Sequence, residues 1–471
     1  MKKAFGLGVL LLGSLSATAG VVASPLTDAV RGDDHAAIKR LLGAHVDLNA
    51  PQADKSTALS WAVDRQDEES VKLLLAAGAK PNTKDVSGAT PLTLACELGQ
   101  PGIVTRLLDA GALARSARAD GISALALCAG TSSPEAVAKL IAKGADVNAA
   151  DPGGQTPLMW AAAKGRTDNI ALLLKHGANV NAVTQKGFTP LYFALQSKVT
   201  QASMALLDAG ADTKVVLPDG TTVVAAALLV DDVPFAMQVV SRGADTKDRD
   251  RDGRQLIHVA AANGNADLVK LVLAKGGDPN AMTTPPQPAT PPAEATPAPQ
   301  PVAGAVGAGA GAGVPARKKL LEAADFLLPP PVAPTTPLLL AAHAGSVPAM
   351  KALVEAGAKP DIKAGDGVTL ALAAAGSGNL DAVKYALTLD PNINAVAKGG
   401  KSIMHMVIAN RTATDNEAIV TYLADKGAIL NAKDDRGTTP ADLVNRTGPE
   451  KIRVFYIQFI KDRGVQASTN H

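Results

Sequence analysis

The stretch at residues 154–182, GQTPLMWAAAKGRTDNIALLLKHGANVNA, decides how the rest of the chain is interpreted. It contains a turn glycine, an alanine-rich segment, a leucine-rich segment and a closing glycine, but no catalytic group. The turn glycine recurs every 33 residues, at Gly88, Gly121, Gly154, Gly187, Gly220 and Gly253. The closing glycine recurs at the same spacing, at Gly78, Gly111, Gly144, Gly177, Gly210, Gly243 and Gly276. This period predicts a tandem array of small units.

Each unit has the residues of a helix pair. Pro157 suits the first position of a helix, where a backbone N–H is unpaired in any case. Ala161 and Ala162 let neighbouring helices approach closely, and the leucines at 172–174 supply the buried side of a second helix. Gly177 suits the left-handed residue that ends that helix. One unit cannot bury its own apolar face, so stability is expected to come from stacking.

The period and the motifs resemble the ankyrin repeat, most closely in 154–165 (GQTPLMWAAAKG), 187–195 (GFTPLYFAL) and 88–96 (GATPLTLAC). The tails GADVNA (144–149) and GANVNA (177–182) resemble it too. The resemblance implies an all-α solenoid of about twelve helix–turn–helix repeats with short hairpin turns. The predicted repeats begin near Ser24, Ala53, Asp85, Arg118, Asp151, Thr184, Leu217, Asp250, Ala333, Ala364, Ala397 and Asp434.

The domain organisation follows from this register. Residues 24–282 are expected to hold about eight repeats, the first an N-terminal cap. Residues 333–465 are expected to hold about four, the last a C-terminal cap, before a disordered tail at 466–471. Between them lies a Pro- and Gly-rich insertion at 283–332, extended where it is rich in proline. Its segment 316–328, ARKKLLEAADFLL, has the spacing of a short amphipathic helix docked on the solenoid, with a disordered tether as the alternative.

Several repeats depart from the motif. The repeat at 217–249 has VVAA where the Thr-Pro-Leu-His motif is expected, and Asp390 stands in the place of a closing glycine. Residues 411–416 lengthen one loop between helices. These repeats are expected to be distorted.

The N-terminus has the pattern of a Sec-type signal peptide. Two lysines precede a short apolar run and small residues, so residues 1–23 are predicted to be cleaved after Ala23. This predicts a periplasmic or secreted protein, and the rest of the sequence shows no candidate transmembrane segment. Removing Lys2 and Lys3 from the 46 basic residues leaves 44, equal to the 44 acidic residues. Such a balance argues against nucleic acid as a partner.

Candidate catalytic, cofactor and metal sites are weak. The stretch 248–253, DRDRDG, begins like a calcium loop, but its twelfth position is Val259 instead of a glutamate. The seven histidines are scattered, and His258 and His405 are expected to brace turns. We therefore predict no catalytic residue, no cofactor and no metal site.

Two residue pairs carry structural predictions. Cys96 and Cys128 occupy neighbouring alanine-pair positions, where buried thiols are expected and a disulfide is the alternative. Trp61 and Trp160 share one repeat position and are expected to fill the core.

The variable positions of ankyrin-like repeats are the turn residues and the outer end of the first helix. Mapped onto this chain, the predicted exposed partner-binding residues are Leu98, Ile122, Gln155, Lys164, Phe188, Gln196, Leu229, Val230, Arg254 and His343. Several are apolar, as a protein-binding groove requires, although any of them could instead fill gaps between repeats.

The resemblance implies a non-catalytic scaffold of the bacterial envelope, which binds another protein through the concave face of the solenoid. The alternatives are a secreted effector that acts on a host protein, and an enzyme or ligand binder organised around residues 283–332.

Overall fold

A computed structural model describes residues 24–217, 219–284, 333–410 and 415–465. The predicted signal peptide (1–23), the predicted helix at 316–328 and the predicted tail (466–471) lie outside these residues. Contacts within the chain divide it into a first unit, residues 1–182, and a second unit, residues 183–471.

The fifth repeat shows why this sequence folds as helix pairs. The hydroxyl of Thr156 accepts a hydrogen bond from the backbone N–H of Met159 at 3.4 Å, and Pro157 follows as a first helical residue. At the other end, Gly177 has a φ of 84°. This left-handed conformation is costly for any residue with a Cβ atom. The predicted helix start and helix stop are both confirmed.

The described residues form 24 helices, which pair into twelve repeats. The first unit holds repeats 1 to 5, two helices each: α1 (Pro25–Arg31), α2 (His35–Gly43), α3 (Ala58–Asp64), α4 (Glu68–Ala76), α5 (Pro91–Glu97), α6 (Pro101–Asp109), α7 (Ala124–Thr131), α8 (Pro134–Ala142), α9 (Pro157–Ala163) and α10 (Thr167–Lys175).

The second unit holds repeats 6 to 12: α11 (Pro190–Ser197), α12 (Thr200–Asp208), α13 (Val223–Leu229), α14 (Val233–Ser241), α15 (Leu256–Asn263), α16 (Ala266–Ala274), α17 (Pro337–His343), α18 (Val347–Glu355), α19 (Leu370–Ser377), α20 (Leu380–Leu389), α21 (Ile403–Ala409), α22 (Asn416–Asp425), α23 (Pro440–Thr447) and α24 (Glu450–Asp462).

Within each unit, the first helix of a repeat packs against the first helices of adjacent repeats, and the second helix packs against the second helices. In the first unit α7 contacts α5 and α9, while α8 contacts α6 and α10. Leu158, Ala161, Ala162 and Leu173 of the fifth repeat are fully buried. The other leucines of the 172–174 triplet are half-buried. The small alanines permit close packing of the first helices, and stacking buries the apolar faces that single repeats would expose.

An asparagine near the end of several repeats hydrogen-bonds to the backbone of the next repeat. In Asn148, Nδ2 donates to the carbonyl of Gly177 at 3.0 Å, and Oδ1 accepts from the N–H of Asn179 at 2.8 Å. Asn82 makes the same two bonds to Gly111 and Leu113, at 3.1 and 2.8 Å. Both groups contacted belong to the backbone, so this asparagine bridge does not depend on the side chains of the following repeat.

The repeats on either side of the predicted insertion stack directly on each other, α15 against α17 and α16 against α18. The N–H of Thr283 donates to the carbonyl of Thr335 at 3.0 Å, and the N–H of Thr335 donates to Oγ1 of Thr283 at 2.9 Å. Thr184 and Phe188 make the same two bonds, each at 3.0 Å, in a turn without an insertion. The ninth repeat therefore begins at Thr283, and its predicted start at Ala333 is wrong.

Among the described residues, β-structure is limited to short strand pairings at the turns. The strands β1 (Val396–Ala397) and β2 (Lys401–Ser402) pair antiparallel, and three isolated bridges occur elsewhere. The predicted all-α class is thereby confirmed. Every helix among the described residues is too short or too polar to cross a bilayer.

Two of the predicted distortions can be compared with the structure. The repeat at 217–249 keeps its helix pair, because the hydroxyl of Thr222 still accepts from the N–H of Ala225, at 3.3 Å, and starts α13. At Asp390, α20 ends in an extended conformation with a φ of −133°. The lengthened loop includes residues 411–414, which lie outside the described residues.

A disulfide joins Cys96 of the third repeat to Cys128 of the fourth, and both side chains are fully buried. The expectation of two buried thiols is therefore wrong. Packed helix axes are about 8–10 Å apart, but each Cα atom lies about 2.3 Å from its own axis. Cα atoms that face each other can thus approach closely, and here they are 4.4 Å apart.

Candidate protein-binding surface

Four of the predicted partner-binding residues share one position in the hairpin turn, directly after the turn glycine. The backbone carbonyl at this position accepts a hydrogen bond from the first residue of the turn. The pairs are Arg118–Ile122 at 3.0 Å, Asp151–Gln155 at 3.1 Å, Thr184–Phe188 at 3.0 Å and Asp250–Arg254 at 3.0 Å. This bond fixes the backbone of the turn without using the side chain that follows the glycine.

The other six predicted residues lie at the end of a first helix. They are Leu98, Lys164 and Val230 at the C-caps of α5, α9 and α13, and Gln196, Leu229 and His343 at the ends of α11, α13 and α17. Each unit thus presents the two predicted positions repeatedly, at its hairpin turns and at the ends of its first helices. We call these two positions together the turn face.

The exposure of the turn face differs from the prediction. Lys164 and His343 are exposed, but the other eight predicted residues are half-buried. The ends of the first helices are partly covered because the first helices of adjacent repeats pack against each other within each unit. The side chain of Arg254 is only 13% exposed and lies 3.4 Å from the carboxylate of Asp252. Partner binding by these residues remains a prediction.

An aromatic cluster adjoins the turn face in the second unit, and only its Phe188 is among the residues predicted from the sequence. The Phe188 ring stacks on Tyr192 with centroids 4.6 Å apart, and Phe193 meets both rings edge-on, at 6.4 and 5.8 Å. All three side chains are half-buried. Such pairs are worth about 0.5–1.5 kcal/mol beyond their burial. The spacing in the sequence could have indicated this cluster, because Tyr192 and Phe193 follow Phe188 by four and five residues, about one helical turn.

His343 combines exposure with local crowding. Its ring lies against Gly376 of the next repeat, where an added Cβ atom would be 3.5 Å from Nδ1. The loss of water from this side lowers the pKa of His343. The side chain is therefore expected to be neutral at pH 7 and able to donate and accept hydrogen bonds.

The predicted turn-bracing histidines are confirmed. In His258, Nδ1 accepts from the N–H of Gln255 at 3.1 Å, and Nε2 donates to the carbonyl of Ala281 at 3.0 Å. In His405, Nδ1 accepts from the N–H of Ser402 at 3.2 Å, and Nε2 is 3.1 Å from the carbonyl of Thr438.

Trp61 and Trp160 are half-buried, so the prediction that they fill the core is wrong. Their shared position lies at the edge of the repeat interface. The indole N–H of Trp61 donates to the hydroxyl of Ser56 at 2.9 Å, and the guanidinium of Arg31 lies 4.0 Å from the centre of its ring.

The structure also brings together one group of residues whose proximity is not predicted from the sequence. Asp33, His35 and Asp67 offer three possible metal-ligand atoms within 4.8 Å of one another. Nε2 of His35 is 2.9 Å from the carboxylate of Asp67 and 3.4 Å from that of Asp33. The hydrogen bond to Asp67 raises the pKa of His35. The hydrogen bond between His35 and Asp67 ties the second helix of repeat 1 to repeat 2.

Comparisons with known proteins agree with this geometry. A model of tandem ankyrin repeats matches residues 26–118, 124–216 and 338–434, and a model of the single ankyrin repeat matches 252–284. A stretch of 109 residues is 30% identical to Potassium channel AKT1 of Arabidopsis thaliana. That stretch is 23% of this chain and only 12% of the channel.

Proposed function

Because the chain belongs to the ankyrin repeat family, whose repeats indicate a scaffold for protein–protein interaction, we propose that it binds a partner protein through its turn face. The chain acts without catalysis, by presenting preformed surfaces. In the predicted solenoid, the turn face is the concave side. We further propose that the protein is exported and works in the bacterial envelope.

The aromatic cluster of Phe188, Tyr192 and Phe193 carries the proposal of partner binding. The chain has only seven Phe and four Tyr residues, yet three of these eleven lie in contact within one repeat. Aromatic side chains in half-buried positions give large, rigid contact areas, and they are enriched among residues that dominate binding energy. Leu229 and Val230 of the next repeat add apolar surface at the end of α13.

The test is capture of binding partners from an envelope extract with purified wild-type protein and a Phe188→Ala/Leu229→Ala variant. We expect the variant to lose partners that the wild type retains. A matched control is Tyr385→Ala/Tyr422→Ala, which removes two half-buried aromatic side chains from the second helices α20 and α22. Identical partner sets for all three proteins would contradict binding through the turn face.

Two observations support export. Residues 1–23 have the charge and apolar pattern of a cleaved signal peptide. The bond between Cys96 and Cys128 fits a compartment outside the reducing cytosol, where disulfides form and persist.

Export is tested by expressing the full chain in a bacterial host, fractionating the cells and sequencing the N-terminus of the product. We expect a periplasmic protein that begins at Ser24 and has no thiol reactive after denaturation without reductant. A cytoplasmic product that retains residues 1–23 would overturn this part of the proposal.

A further inference from the structure

The first unit contains an open concavity of about 550 Å³, lined by residues of the second, third and fourth repeats. It is lined by Asn82, Lys84 and Thr90 on one side, by residues 113–118 across its floor and rim, and by Lys143 at the end of α8. None of these residues belongs to the turn face or to the partner-binding residues predicted from the sequence.

The lining of this concavity is basic. It contains four cationic side chains and, among its described residues, no carboxylate. Arg118 is already paired, with Glu97 at 3.0 Å and with Asp120. Lys84, Arg115 and Lys143 are exposed, and none of them takes part in a salt bridge with a described residue. These three cations are therefore not held in salt bridges, although Lys143 lies close enough to Asp109 to help lower the pKa of that carboxyl.

Arg115 stands where other repeats have the bridging asparagine. Its Nε donates to the carbonyl of Gly144 at 2.7 Å, which reproduces the bond from Nδ2 of Asn148 to Gly177. Arginine has no acceptor atom, so the second bond of the asparagine bridge cannot form here. In exchange, the two Nη groups add hydrogen-bond donors to a side chain that lines the concavity.

Leu113 also departs from its equivalents in the two repeats that follow. Those positions hold Asp146 and Asn179, whereas Leu113 is apolar and 63% exposed. Ile429 of the eleventh repeat is likewise apolar and 57% exposed at this position, but no basic concavity is described beside it. An exposed leucine beside three cations has no packing role within the repeat. Together, Leu113 and Arg115 replace polar or bridging residues by residues suited to contact another molecule.

We propose that this concavity binds an acidic peptide segment that carries an apolar side chain among its Asp or Glu residues. The inference rests on the proposed function, because it names the chemistry of a segment that the scaffold would bind. Carboxylates of the segment would pair with Lys84, Arg115 and Lys143, and its apolar side chain would cover Leu113. The cations come from three separate chain segments around the rim, which suits several spaced charges better than one compact phosphate.

The probes are three fluorescein-labelled nonapeptides in which Leu alternates with Glu, Gln or Lys. Binding to the full mature protein is measured by fluorescence anisotropy at two salt concentrations. We expect only the Glu peptide to bind, and more weakly at higher salt, because exposed charge pairs are screened. Equal affinity for the Glu and Gln peptides would overturn the proposal.

The decisive variant is Arg115→Asn/Lys84→Ala. Both replacements are native to the fold, since asparagine forms the bridge at the first position in neighbouring repeats, and Ala117 and Ala150 are the equivalents of Lys84 in the two repeats that follow. The variant should therefore fold, as circular dichroism will show. We expect its affinity for the Glu peptide to fall about tenfold, the effect of losing two exposed charge contacts.

A matched control is Lys214→Asn/Lys433→Ala, which removes two exposed positive charges at the same repeat positions in the second unit. If both double variants lost affinity for the Glu peptide equally, only the net charge of the protein would matter, and the proposed site would be wrong. Partner capture through Phe188 and Leu229 is a separate measurement. It can succeed when the peptide assay fails, so the two proposals fail independently.

Discussion

Thr283 and Thr335 are 52 residues apart in the chain, and yet they close one hairpin turn with two hydrogen bonds to each other. The chain enters and leaves the insertion within this turn. Joining Thr284 directly to Ala333 would place Gly276 and Gly357 at the 33-residue spacing of the other closing glycines. The insertion therefore interrupts a turn without interrupting the stack.

A deletion of residues 285–332 is expected to keep the fold. The variant should also carry Pro334→Gly, because Pro334 would occupy the place of the turn glycine, where Gly154 and Gly187 have φ of 81° and 80°, and proline cannot adopt a positive φ. We expect unchanged helicity by circular dichroism and a midpoint of thermal unfolding within a few degrees of wild type.

The matched control is deletion of 283–332, which follows the boundary expected from composition and also removes Thr283. It should unfold at a lower temperature, because both hydrogen bonds of the turn are lost. Equal stability of the two deletions would contradict the role of Thr283.

Loss of the disulfide should loosen the third and fourth repeats. Cys96→Ala/Cys128→Ala places alanine where other repeats have it, so packing is retained and only the cross-link is lost. Closing a loop of this length is worth about 3–4 kcal/mol in the chain-entropy model. We expect faster amide hydrogen exchange in residues 85–150, measured by mass spectrometry, with unchanged exchange in 333–410. Unchanged exchange in both segments would show that stacking alone holds these repeats.

Breaking one asparagine bridge should weaken the contact between the fourth and fifth repeats. In Asn148→Ala, the carbonyl of Gly177 and the N–H of Asn179 lose their bonds to the side chain. We expect a loss of about 1–2 kcal/mol in local stability, measured as faster exchange in residues 144–182. The control Gln155→Ala shortens a half-buried side chain of the same repeat and should have a smaller effect. If Gln155→Ala accelerated exchange in these residues more than Asn148→Ala, the asparagine bridge would not be the main contact between these repeats.

The eighth repeat should weaken in acid. His258 is fully buried, and burial lowers its pKa from 6.5 to about 4. Its neutral form makes the bonds to Gln255 and Ala281, so protonation favours the unfolded state. Stability should be constant above about pH 6.5, fall between pH 6.5 and pH 4, and be lower by up to about 3 kcal/mol at the end of that range.

This pH effect is measured from hydrogen exchange of residues 253–284, corrected for the intrinsic rate at each pH. A His258→Gln variant, whose side chain does not titrate, should lose most of the pH dependence. If wild type and variant show the same dependence, another group is responsible.

The repeat architecture could be predicted because turn geometry leaves a mark in the sequence. Gly177 and its equivalents are required by a positive φ, and Thr156 and Pro157 start a helix wherever they recur. The predicted boundary of the insertion at Thr283 is wrong for the opposite reason. The residues after Thr283 are proline-rich, and this composition predicts an insertion. The period instead makes Thr283 the equivalent of Thr184, which begins an ordinary turn.

Features that depend on distances between repeats could not be predicted. The approach of Cys96 to Cys128 depends on the separation of two helices, which the period does not give. The pairing of His35 with Asp67 joins residues that are 32 apart. The exposure of Leu98 or Phe188 depends on the size of side chains in the adjacent repeat.

The asparagine bridge has a consequence for how such a chain can grow. Asn148 and Asn82 recognise a carbonyl and an amide that every repeat offers, whatever its surface residues. A gene segment that encodes one whole repeat could thus be duplicated, lost or exchanged, and the new neighbours would still find the atoms they need. Selection could then vary the outward residues freely while the joints between modules that keep this asparagine stay the same.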